Sequence, residues 1–127
     1  MEKSKYDTLV TGLVTATKSG RITWQPTINE DVFMVSFPGY SVQILTFEDW
    51  NENTFESFTS YILKLLNDEG HLIEQIRPDD LANNGFSVLQ TIYTIARRQA
   101  IGAEKAVDTI IESLSKLNDT IDDPFAD

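Results

Sequence analysis

His71 is the only histidine in the 127-residue chain, and it follows the turn-like run Asn67-Asp68-Glu69-Gly70. A single imidazole excludes two-histidine metal sites and the helical metalloprotease motif. To act as a general base it needs a nucleophile or an orienting carboxylate brought beside it by folding; otherwise it is an exposed turn residue. Carboxylate pairs occur at Glu30-Asp31, Glu48-Asp49, Asp68-Glu69, Asp79-Asp80 and Asp122-Asp123. Such pairs bind hard divalent cations or share a proton, yet these all fall in turn or tail segments where hydration explains them. The densest set is Glu48, Asp49, Glu52 and Glu56, which converges only if its segment folds back on itself. No spacing fits a calcium loop, a glycine-rich phosphate loop or a serine nucleophile elbow. With no cysteine, thiolate catalysis, disulfides and cysteine-held zinc or iron-sulfur clusters are excluded. No catalytic residue, metal ligand or cofactor is assigned.

Two groups remain that point to recognition. Arg97 and Arg98 are adjacent near the end of a predicted helix, where cations complement the helix dipole and can pair with acids such as Glu104. In an acidic chain the same two guanidinium groups offer a clamp for a carboxylate or phosphate. The second group is aromatic. Trp24 stands at the start of the predicted sheet and reads as core, whereas Trp50 lies in Glu48-Asp49-Trp50-Asn51-Glu52, with Phe55 and Phe58 close behind. An indole in a polar, acidic loop either folds over the sheet or is offered to a partner, and exposed aromatics are enriched in interfaces. Trp50, Phe55, Phe58, Arg97 and Arg98 are the candidate contact residues.

Twenty acidic residues against ten basic ones give a formal charge of -10. That field repels phosphate backbones and anionic membrane surfaces, so neither direct nucleic-acid binding nor membrane binding is expected. No stretch approaches the roughly 20 apolar residues of a membrane span. The opening MEKSKYDTLVTGLV has no leader-like apolar run behind its charges, so the chain is expected in the cytoplasm. The acids are spread along the whole chain, a pattern that serves solubility or docking on a basic partner.

These residues must be positioned by a modest set of elements. Tyr6, Leu9, Val10, Leu13, Val14, Ala16 and Thr17 recur at helical spacing from Lys3 to Ser19, and Ser19-Gly20 closes the helix. Short β-rich runs follow at Ile22–Thr27, Val32–Phe37, Tyr40–Phe47, Thr59–Leu66 and His71–Ile76. The separators are mostly too short for crossovers, which makes neighbours in sequence neighbours in an antiparallel sheet; only Glu48 to Phe58 is long enough for a crossover. Phe33, Val35 and Phe37, with Val42 and Ile44, mark the buried face, while Met34, Leu45, Ile62 and Leu66 put apolar surface on the other. After Pro78-Asp79-Asp80, the stripe Phe86, Leu89, Ile92, Tyr93, Ala96 predicts a second helix. Val107, Ile110, Ile111, Leu114 and Leu117 predict a third, ending near Asn118.

The run Ala16-Thr17-Lys18-Ser19-Gly20-Arg21-Ile22-Thr23-Trp24 resembles a helix-to-strand pattern that recurs in small uncharacterised bacterial proteins. The resemblance implies a meander followed by C-terminal helices, a bacterial or phage origin and an accessory role. It carries over no activity, cofactor or functional residue.

The fold expected is α+β: an N-terminal helix, an antiparallel meander of about five strands, and two C-terminal helices packed on one sheet face. One domain over residues 1–118 and a loose acidic tail over 119–127 complete the layout. The leading functional expectation is a non-catalytic interaction or accessory module, of immunity type or self-associating, with a protein partner or a second copy. The alternatives are a small-molecule binder or weak enzyme with a pocket between sheet and helices, and an acidic mimic of nucleic acid that binds a basic partner.

Overall fold

The structure, a computed structural model, describes residues 3–121. In chain order it contains α1 (Lys3–Lys18), β1 (Gln25–Pro26), β2 (Val32–Phe37), β3 (Tyr40–Asn51), β4 (Glu56–Asn67), β5 (Leu72–Ile76), a 3₁₀ turn (Pro78–Asp80), α2 (Gly85–Ala100) and α3 (Ala103–Ile121). The strands form one sheet in the order β1-β2-β3-β4-β5, every pairing antiparallel. This is the expected α+β meander with one helix before it and two after. The tight β2–β3 connection places Phe37 opposite Tyr40 around Pro38-Gly39, with Gly39 at a positive φ of 79°.

Antiparallel register decides what is buried. Phe33 pairs with Ile44, Val35 with Val42, Ile44 with Leu63 and Leu63 with Ile76, so these side chains share one face. Val10 and Leu13 of α1 and Leu89, Ile92 and Ala96 of α2 close over them in a single buried cluster that includes Trp24 and Leu81. Burying side chains of this size contributes about 1.5–3 kcal/mol each before entropy is counted.

The end of α1 is clipped to the sheet by polar groups. The Arg21 N–H donates to the Ala16 carbonyl at 3.0 Å, and Gly20 takes a φ of 75°, closing the helix. Trp24 then turns inward: its indole N–H donates to the Thr17 hydroxyl at 3.0 Å, and its backbone N–H donates to the Gln99 side-chain oxygen at 2.9 Å. Both Thr17 and Trp24 are buried. The short helix-to-strand run is therefore a structural clasp in which threonine and tryptophan, seven residues apart, satisfy one another. The Trp24 backbone N–H goes to Gln99 and not to a neighbouring strand, and β1 is confined to Gln25–Pro26 instead of beginning at Ile22.

Two further differences from the sequence reading bear on function. β3 and β4 do not stop at Phe47 and Thr59: they run on as a ribbon to Asn51 and back from Glu56, so Glu48 to Phe58 is neither a crossover nor a loop. Of the two C-terminal helices, only α2 lies on the sheet, beside α1. α3 meets α2 and is exposed at every residue from Glu104 to Asp119, so among the described residues its apolar stripe is not buried against the body. α3 also continues through the first residues of the expected tail to Ile121; residues 122–127 lie outside the described residues.

Candidate functional site

The ribbon carries the aromatic candidates. Trp50 pairs with Ser57 and Phe58 with Asp49, and since side chains alternate along a strand, the two rings emerge on opposite faces. Trp50 is 53% exposed, Phe58 41% and Phe55, at the tip, 75%. Phe55 adopts a φ of 56°, a left-handed conformation that suits glycine or asparagine better than a bulky aromatic residue. The tip is built by Asn51, whose side-chain oxygen accepts the N–H groups of Asn53 and Thr54 while its carbonyl accepts the Phe55 N–H at 2.8 Å. The ribbon thus displays three aromatic rings in three directions and does not gather them into one pocket.

Its carboxylates do not converge either. Glu48 accepts the Thr59 hydroxyl across the ribbon at 3.0 Å, Asp49 faces the other way and accepts the Trp50 N–H at 2.8 Å, and Glu52 and Glu56 flank the tip. Among the described residues no group of three histidine, cysteine or acidic side chains is placed to hold a metal ion. Beyond Leu45 and Ile62 neither β2 nor β5 extends alongside, so both edges of the ribbon are open. Negative charge along open strand edges discourages pairing with another chain, and this accounts for the acids without a ligand.

Arg97 and Arg98 occupy the last turn of α2, as expected, but they diverge. Consecutive helical residues are about 100° apart, and here Arg97 lines a hollow with Thr27, Asp31, Phe33 and Ile101, whereas Arg98 lines another of about 350 Å³ with Thr17, Lys18, Gln99 and Glu104. They do not form one clamp. The ordered polar feature beside Arg97 is Tyr93, whose hydroxyl donates to Asp31 at 3.2 Å and whose ring packs against Phe33 and Tyr61. Burial, then the Asp31 carboxylate, pushes the Tyr93 hydroxyl pKa above its ordinary value. His71 is a turn residue: its N–H donates to Asn67, and its ring lies 3.8 Å from the exposed Glu69 carboxylate.

The space between sheet and helices is filled by the buried cluster, so the hollows lie at the periphery. The large unsatisfied feature is α3. Val107, Ile110, Ile111, Leu114 and Leu117 are each between 51% and 58% exposed and recur on one stripe. Sequence reasoning found these residues by their spacing and misplaced them, since periodicity reports a face and not what the face meets. Gln99 was missed altogether; a side chain that serves a backbone N–H 75 positions away leaves no local signal.

Comparison with family models, with curated proteins and with solved structures returns no match. Among the described residues, no helix is long and apolar enough to cross a membrane.

Proposed function

We propose that this chain is a non-catalytic protein-interaction module, an accessory domain whose folded body presents α3 to a partner. The observation that carries this reading is the apolar stripe of α3, exposed along its length while the core is complete without it. A stripe of five large aliphatic side chains on a solvated helix is the pattern of a surface used in association. The helix also gains from a partner energetically. Val107, Thr109, Ile110 and Ile111 are β-branched, which lowers helix propensity, and most helical stability in proteins comes from packing of the apolar face.

The test is whether folding uses α3. A variant carrying Ile110→Glu and Leu114→Glu, melted at a dilution where wild type and variant are both monomeric, is expected to keep the wild-type transition within about 1–2 °C. Loss of two core side chains would cost several kcal/mol and lower the midpoint by roughly 10 °C or more. A drop of that size would mean that α3 packs into its own domain, and the reading would fail.

A further inference from the structure

The stripe on α3 has a finer order than amphipathicity requires. Ala103, Val107, Ile110, Leu114 and Leu117 alternate four-three-four-three along the helix, the spacing of a coiled-coil seam. Lys105, Asp108, Glu112, Lys116 and Asp119 fall on the far side, where Lys116 and Glu112 form an exposed ion pair at 3.6 Å. The positions that flank the seam are Ala106 and Ser113 on one side and Glu104, Ile111 and Asn118 on the other. In a chain of formal charge -10, the seam and its margins carry one charged residue, Glu104. A foreign basic partner would find little charge here to recognise, while a second copy of this acidic chain meets a neutral strip where like charges do not oppose it.

Resting on the interaction-module reading, we infer that the occupant of this face is α3 of a second copy, packed antiparallel about a two-fold axis. The spacing is self-complementary in that orientation. Val107 lies against Leu117 of the partner subunit, Ile110 lies against Leu114 of the partner subunit, and Ile111 meets the partner's Ile111 on one flank. Ser113 meets the partner's Ser113 on the other flank, and Glu104 faces the partner's Asn118 and not another acid. The antiparallel arrangement also sends the two acidic bodies to opposite ends of a helix about 28 Å long, well beyond the Debye length of about 8 Å at physiological salt. A parallel pair would set them side by side. A helix face of that length buries about 500 Å² per copy, roughly 1,000 Å² in total, the size at which specific association begins. The dimer is therefore concentration-dependent, and it assembles the end of α3 as it forms.

The test uses the full chain, light scattering and a single introduced thiol, which is clean because the protein has no cysteine. Wild type is expected to show twice the 14.4 kDa chain mass, to fall to one chain on dilution, and to be insensitive to salt. Helical circular dichroism should rise over the same concentration range. Ile110→Glu with Leu114→Glu should weaken the dimer roughly a hundredfold or more, as loss of central interface side chains does. A short bis-maleimide should join Ser113→Cys chains across the two-fold axis, and should not join Asp108→Cys chains, whose thiols lie on the outer side. A monomer at the highest concentration, a dimer that survives the double substitution, or a dimer joined through Asp108→Cys in preference to Ser113→Cys would each overturn the inference. A monomer whose melting ignores Ile110→Glu and Leu114→Glu removes self-pairing and leaves the module reading intact; a monomer destabilised by them removes both.

Discussion

Replacing Thr17 with valine tests the clasp between α1 and the sheet with almost no change of shape. Thr17 is 2% exposed and Trp24 is fully buried, and the 3.0 Å bond between them occupies the indole N–H. Valine fills the same volume but accepts nothing, so the buried indole N–H loses its protein partner. An orphaned buried donor costs about 1–3 kcal/mol, and the methyl gained in exchange offsets only part of that. With a urea dependence of about 1.5 kcal/mol per molar for a domain of this size, a net loss near 1.5 kcal/mol lowers the unfolding midpoint by about 1 M. Circular dichroism at the helix band is the suitable probe, because two tryptophans complicate fluorescence. Thr17→Ser keeps the acceptor and should retain more than half of the lost stability. In a Trp24→Phe background the donor is already gone, so Thr17→Val should cost little there, giving a coupling of about 1 kcal/mol or more. A midpoint shift below roughly 0.3 M for Thr17→Val, or equal effects in both backgrounds, would refute the argument that this hydrogen bond is what the threonine provides.

The remaining predictions concern other parts of the molecule. Acrylamide should quench Trp50, which is 53% exposed, and leave a blue-shifted, protected component from Trp24; Trp50→Phe should abolish the quenchable component alone. Glycine substitutions should have opposite signs: Gly12→Ala in open space on α1 should raise stability by about 0.5–1 kcal/mol in urea denaturation. Gly85→Ala should lower it by about 2–3 kcal/mol, because its new methyl would collide with the backbone of Pro78. Finally, the Tyr93 pKa is raised by burial and by Asp31, and that of Tyr6 by desolvation and by Glu74, so the folded state holds these protons more tightly than the unfolded chain. The stability they contribute is fully present below the ordinary tyrosine value of about 10 and is lost as pH rises through the elevated folded values. Urea midpoints should be unaffected by these groups below about pH 9 and fall above pH 10, with a shallower fall in Tyr93→Phe.

Where burial imposes a pattern, the sequence was readable. β2 has the expected ends, Val32 and Phe37, because alternating large side chains stand between turns that Asp31 and Gly39 can make at positive φ. The buried positions of α1 and α2 follow their helical spacing for the same reason. The ribbon escaped because its residues are exposed on both faces: Glu48-Asp49-Trp50-Asn51 has no hydrophobic period, and its strand character comes from backbone pairing with Glu56 to Thr59. Arg97 and Arg98 were correctly placed on a helix end and wrongly joined, since adjacency in sequence separates side chains on a helix. The aromatic candidates were found by composition, and their dispersal over two faces and a tip is a consequence of strand pleat.

The ribbon's independence from the core separates two kinds of change. Its outer pairs, from Glu48–Thr59 to Asn51–Glu56, have no third strand beside them and bury little, so they can open and close at a small fraction of the free energy of global unfolding. Substitutions or inserted residues at the Glu52–Phe55 tip are therefore nearly invisible to the stability of the body. The fold acts as a fixed mount for a replaceable projection: new peptide sequences can be grafted at the tip without redesigning what holds it.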